Sequence, residues 1–104
     1  RAMVPANDSR VAVEVLTESE VSGGWSHTVR VRRAEGAEST HIVRLAWVDH
    51  DHWSAGASAP SRVTEAVVRL LVACEPILEL PERFDASTAR RWLPGIDQEL
   101  ARVL

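Results

Sequence analysis

The chain holds one cysteine, no tyrosine and no lysine among its 104 residues, and each gap excludes something. A single thiol, Cys74, closes no internal disulfide, forms no CxxC redox pair and supplies no thiolate zinc site. The reducing cytoplasm is the compartment this composition predicts. No apolar run approaches the roughly 20 residues of a membrane span, and the stretch "RAMVPANDSR" lacks the apolar core of a signal peptide. Net charge is small as well, at −3, so no global field points to nucleic acid, a membrane or an acidic substrate. Such a partner would have to be met by a local patch. All 12 basic residues are arginine, and alanine and valine are plentiful, which is the composition of a GC-rich bacterial genome.

The unusual surplus is tryptophan, four against a single phenylalanine. So large a side chain is expected to anchor a core or an interface. The length allows one modest hydrophobic core, so residues 1–104 read as a single α+β domain.

Period-two patterning begins at Val11, Val13 and Val15, which alternate with Ala12, Glu14 and Leu16 and predict a first strand. "TESEVSGG" follows and reads as a loop. From Trp25 the alternation is cleaner, with His27, Val29 and Val31 on its face and Ser26, Thr28, Arg30 and Arg32 on the other. That is the pattern of a half-buried antiparallel strand. "AEGAES" turns the chain about Gly36 into a third strand with His41, Val43, Leu45 and Trp47 on one side. A hairpin closing about Gly36 sets Val31 opposite His41, Val29 opposite Val43, His27 opposite Leu45 and Trp25 opposite Trp47.

That apolar face needs a cover, and the next element supplies one. Val63, Ala66, Val67, Leu70, Leu71 and Cys74 recur at helical spacing, with Pro60 near the start and Pro76 ending the helix. "ILELPERF" reads as an extended apolar connection. Asp85 is an N-cap for a short helix carrying Trp92 and Leu93 inward, and Ile96, Leu100, Val103 and Leu104 predict a last amphipathic helix. The expected architecture is a three-stranded antiparallel β-meander packed on one long helix plus short C-terminal helices.

From about residue 40 onward the chain resembles a group of small bacterial proteins that carry no assigned activity. They share a T-H-x-V strand, a helix ending in Glu-Pro, then Phe-Asp, then an aromatic-rich Phe-Pro or Leu-Pro. The matching positions are Thr40, His41, Val43, Glu75, Pro76, Phe84, Asp85, Leu93 and Pro94. The resemblance implies the α+β fold and transfers no catalytic residue.

Chemistry-bearing residues concentrate in "VDHDHW", Val48 to Trp53. On a continued strand His50 and His52 would share a face as an HxH metal pair, but no third imidazole lies close enough in this register to complete a site. The favoured reading is a strand end turning into a short helical corner, with Asp49 or Asp51 capping free amides and Trp53 folded back on the core. His27 and His41, on the core face, read as hydrogen-bonded structural residues, and Cys74 as a buried, inert thiol. The opposite face of the hairpin carries Arg30, Arg32 and Arg44, with Arg33 at the turn. These could grip phosphates, but no aromatic residue there offers a stacking platform. Arg90, Arg91 and Trp92 have the composition of an interface anchor.

The sequence thus predicts a non-catalytic, self-associating protein-interaction domain with no cofactor and no membrane contact. Arg30, Arg32, Arg44, Arg91 and Trp92 are its candidate partner-binding residues. A nucleic-acid module using the arginine face, or a metal site at His50 and His52, are the alternatives.

Overall fold

A computed structural model describes residues 11–34, 36–74 and 79–104. Strands β1 (Ala12–Val21), β2 (Gly24–Arg32) and β3 (Glu38–Ala46) form the expected antiparallel meander. Two helices follow, α1 (Trp47–Ser54) and α2 (Pro60–Cys74). The chain then adds a strand, β4 (Arg83–Asp85), and ends in a 3-10 turn (Ala86–Thr88), α3 (Ala89–Trp92) and α4 (Ile96–Val103). Among the described residues the sheet is therefore four-stranded in the order β1-β2-β3-β4, and mixed, because β4 runs parallel to β3 with Phe84 beside Val43. The connection "ILELPERF" conceals this strand; its Ile77 and Leu78, like the Glu75-Pro76 helix stop, lie outside the described residues.

The hairpin between β2 and β3 keeps the expected faces and changes the register. His41 lies opposite Val29, Val43 opposite His27 and Leu45 opposite Trp25, two residues from the expected pairing. A slip of two preserves which side chains face inward, since the strand period is two. Its cause is the turn: the Arg33 amide bonds the Ala37 carbonyl at 2.8 Å, and Gly36, at φ 89°, sits past the middle of that turn instead of at its apex.

Two further expectations are corrected at the sheet's margins. The stretch Thr17–Val21 is strand, and the turn is only Ser22 and Gly23. This half of β1 is exposed at the sheet edge after a bulge between Val15 and Thr17, so it shows no hydrophobic alternation. Trp47 does not face Trp25 in the core. β3 ends at Ala46 because its partner β2 begins at Gly24, and Trp47 opens α1 with its side chain in solvent.

Helix α2 covers the inner face, rotated from the expected stripe. Val63, Val67 and Leu71 are buried as expected, but Thr64, Val68 and Val72 join them, while Ala66 and Leu70 are half-buried and Cys74 is exposed. The rotation is set by Thr64, whose hydroxyl meets the buried His27 beneath the sheet at 2.8 Å. Ile96 and Leu100 of α4, with Ala86 and Ala89 ahead of them, complete the core. Asp85 caps this last segment as its sequence position suggests, accepting from the Ser87 amide at 3.0 Å and from the Ser87 hydroxyl at 2.8 Å.

Candidate functional site

The "VDHDHW" corner is helical, and its geometry separates the two histidines. Positions two apart on a helix point to nearly opposite sides, unlike on a strand. His50 donates Nε2–H to the Ser58 carbonyl at 2.6 Å and sets its ring edge against Trp25 at 5.0 Å. His52 is exposed and approaches Asp97 at 3.9 Å. Among the described residues no group of three or more His, Cys, Asp or Glu side chains converges as a metal cradle.

The inner side of α1 presents Asp49 and Trp53, both buried, one helical turn apart. Trp53 folds back on the core as expected, but neither aspartate caps the helix, whose N-cap is Ala46 without a side-chain bond. Asp49 instead receives Arg90 of α3 at 3.1 Å, and the same guanidinium reaches Asp97 of α4 at 3.1 Å. It also lies over the Trp53 ring, 4.6 Å from its centre, while the indole N–H donates to Asp97 at 2.6 Å. The Trp53 bond foremost, then Arg90, hold the Asp97 carboxyl below its ordinary range against the opposing effect of burial. Burial alone would lower the Arg90 pKa, but bonds to Asp49 and Asp97 outweigh it and raise the value. One arginine therefore ties three helices together.

His27 stands in a row with Glu18 and Thr64. Its Nε2–H donates to the Glu18 carboxylate at 2.8 Å, and its Nδ1 accepts from the Thr64 hydroxyl at 2.8 Å. A carboxylate, an imidazole and a hydroxyl in line are the parts of a nucleophile relay. Here both His27 and Thr64 are fully buried, so no substrate reaches the hydroxyl and the row acts as a structural clasp. His41 is a second clasp, accepting from the Ser39 hydroxyl at 2.8 Å and donating to the Pro81 carbonyl at 2.7 Å, which fixes the approach to β4. Thr64→Val keeps the shape of the first clasp and removes its hydroxyl, leaving Nδ1 buried without a donor. Urea unfolding of this variant is expected to show a loss of about 1–2 kcal/mol, with Thr64→Ser retaining most of the wild-type value. Equal midpoints for all three proteins would dismiss the clasp.

The arginines of the outer sheet face meet carboxylates from neighbouring strands. Arg30 pairs with Glu14 of β1 and lies 3.3 Å from Glu38, which Arg32 approaches at 4.0 Å. The Glu14 bond is the main cause of a raised Arg30 pKa. Arg44 binds Asp85 at 3.1 Å and the Ser22 carbonyl at 2.9 Å. Burial works against the charge of Asp85, yet Ser87 and Arg44 together lower its pKa. Arg33 is half-buried at the turn. Arg30 and Arg44 of this face are thus engaged by carboxylates within the sheet, while Arg32 stays largely exposed.

Near the C-terminus, Trp92 is half-buried with its ring edge against Phe84 at 5.3 Å, and Arg91 is exposed. The tryptophan most open to solvent is Trp47, 59% exposed, beside Val48 at 71%. Backbone pairing brings this corner to the β1–β2 turn, since the Trp47 amide bonds the Gly23 carbonyl at 2.8 Å and Val21, also exposed, is paired with Gly24. Sequence patterning hid this patch by extending β3 one residue too far. Among the described residues no helix is long and apolar enough to cross a membrane. Compared with family models, with curated proteins and with solved structures, the chain matches none.

Proposed function

We propose that this chain is a non-catalytic protein-interaction domain of the bacterial cytoplasm that associates with a second copy of itself through the corner where β3 runs into α1. The observation that carries this reading is the adjacent exposure of Trp47 and Val48, with Val21 also exposed at the adjoining end of β1. An indole buries on the order of 150–250 Å² when covered, and tryptophan recurs among residues that dominate interface energies. Two-fold pairing would lay each Trp47 against the partner's Val48, so one patch serves both sides. The enclosure of His27 and Thr64 supports a non-catalytic role, and the engagement of Arg30 and Arg44 by carboxylates disfavours phosphate binding. Arg91 and Trp92 have a secondary place in this reading, since Trp92 leans on Phe84.

Light scattering on tag-free protein tests it. The wild type is expected at dimer mass, and Trp47→Ala is expected to weaken dimerisation by about 30-fold, corresponding to about 2 kcal/mol. A monodisperse monomer at high protein concentration would sink the proposal. Excess absorbance at 260 nm in the same peak would hand it to the nucleic-acid alternative.

A further inference from the structure

Among the described residues β1 is a sheet edge, with β2 on one side and nothing laddered to the other. Beside that open edge lies a groove of about 720 Å³ between Val11 and Val13 of the β1 segment, Ala66, Leu70 and Ala73 of α2, and Leu104. This volume is that of a ligand pocket, roughly 300–1,000 Å³. Arg69 crosses the groove, held by Glu65 at 2.9 Å and donating to the Val13 carbonyl at 3.4 Å. A strand added to β1 would run about 4.8 Å from it, and its inward side chains would hang over Ala66 and Leu70. Edge hydrogen bonding and apolar cover would therefore be gained by the same guest once Arg69 swings off the Val13 carbonyl.

The charges of β1 select which guest. Residues Ala12–Val21 include Glu14, Glu18 and Glu20 and no basic residue. Two copies of β1 laid edge to edge would set glutamates against glutamates. The inward face of β1 reads Val11, Val13, Val15 and then, past the bulge, Glu18 and Glu20. Glu18 is already joined to His27, but Glu20 makes no ion pair among the described residues.

We propose that the open edge of β1 and the groove beside it take an extended peptide as a fifth strand, with inward residues apolar along Val11 to Val15 and basic opposite Glu18 and Glu20. This is β-augmentation, in which main-chain bonds supply affinity and alternate side chains supply selectivity. It uses a surface separate from the Trp47 corner and stands without the self-association proposed there.

The probe is a blocked peptide of about ten residues, alternating valine with threonine in one half and lysine with threonine in the other, made in both orders to allow either strand direction. A matching peptide carries glutamate in place of lysine. Titrations use the wild type and Trp47→Ala, so that peptide binding is read apart from dimerisation. The expected result is saturable binding of one lysine peptide, with amide shifts at Val13 and Val15, and at least about tenfold weaker binding of its glutamate counterpart. Glu20→Lys should weaken the lysine peptide about fivefold, and Ala73→Arg, at an exposed helix position, should abolish binding by filling the groove. Failure of both lysine peptides to bind, equal affinity for the two charges, or indifference to Ala73→Arg would overturn the proposal. A dimer of the chain that Ala73→Arg dissociates would assign the edge to a second copy and overturn it as well.

Discussion

Gly24→Ala is expected to destabilise the protein by about 3 kcal/mol or more, the upper part of the range for forcing extra atoms into a packed site. A Cβ at position 24 would stand 2.1 Å from the Leu45 carbonyl oxygen and 2.9 Å from the Ala46 Cα. Both obstacles are backbone, so no side chain can rotate out of the way. β2 and β3 would have to separate at the end of the ladder where Gly24 pairs with Ala46, and that end also launches α1. Gly24 does not have a positive φ, so the demand is for space alone. Gly95→Ala is the control. Among the described residues nothing lies within 4 Å of its Cβ position, and its φ of −90° suits any residue. It should change stability by less than about 1 kcal/mol. Urea midpoints of the two variants provide the measurement, and a Gly24→Ala protein as stable as Gly95→Ala would refute the close approach.

The same glycine shows where sequence reading stopped. "SGGW" has the composition of a loop, yet its second glycine is the first residue of β2. Strands with one wet and one dry face were legible, and so was α2, because each carries its burial in its own periodicity. Wherever burial is decided by distant partners, the pattern was silent. The outer half of β1 is exposed and reads as polar loop, while β4 is three residues defined only by pairing with Ile42, Val43 and Arg44. The two-residue register slip was invisible because both registers bury the same side chains. Thr64 interrupts the apolar stripe of α2, and nothing nearby in sequence announces His27, 37 residues earlier, as its partner. The helical corner at "VDHDHW" and the inward turn of Trp53 were anticipated, but not the means, since neither Asp49 nor Asp51 caps the helix. Nor was the use of Asp49, since its partner Arg90 lies 41 residues further on. The Trp47 corner was missed for a similar reason: the length of β3 is fixed by where β2 begins.

Arg90→Ala is expected to cost about 3 kcal/mol, because it breaks several contacts at once and leaves one of them uncompensated. Asp49 is buried, and its carboxylate would lose the guanidinium that now faces it at 3.1 Å. Removing one partner of a fully buried pair costs about 3–5 kcal/mol, and the partial exposure of Arg90 and Asp97 places this case at the lower end. Loss of the cation above Trp53 adds to the effect, by roughly 0.5–1 kcal/mol. Arg90→Lys keeps the charge but not the planar fork that reaches two carboxylates, so it should recover only part of the loss. The pH dependence separates an ionic role from mere packing. The folded Asp97 pKa is lowered, so its contribution is present above the unfolded carboxyl value and fades as pH falls through the folded one. In the wild type that component of stability should decline as pH falls below the ordinary carboxyl range. Arg90→Ala should flatten the decline without removing it, because the Trp53 N–H still donates to Asp97. Unfolding free energies of wild type and variant over this fall in pH decide the matter. A constant difference between the two curves would mean that Arg90 contributes packing alone.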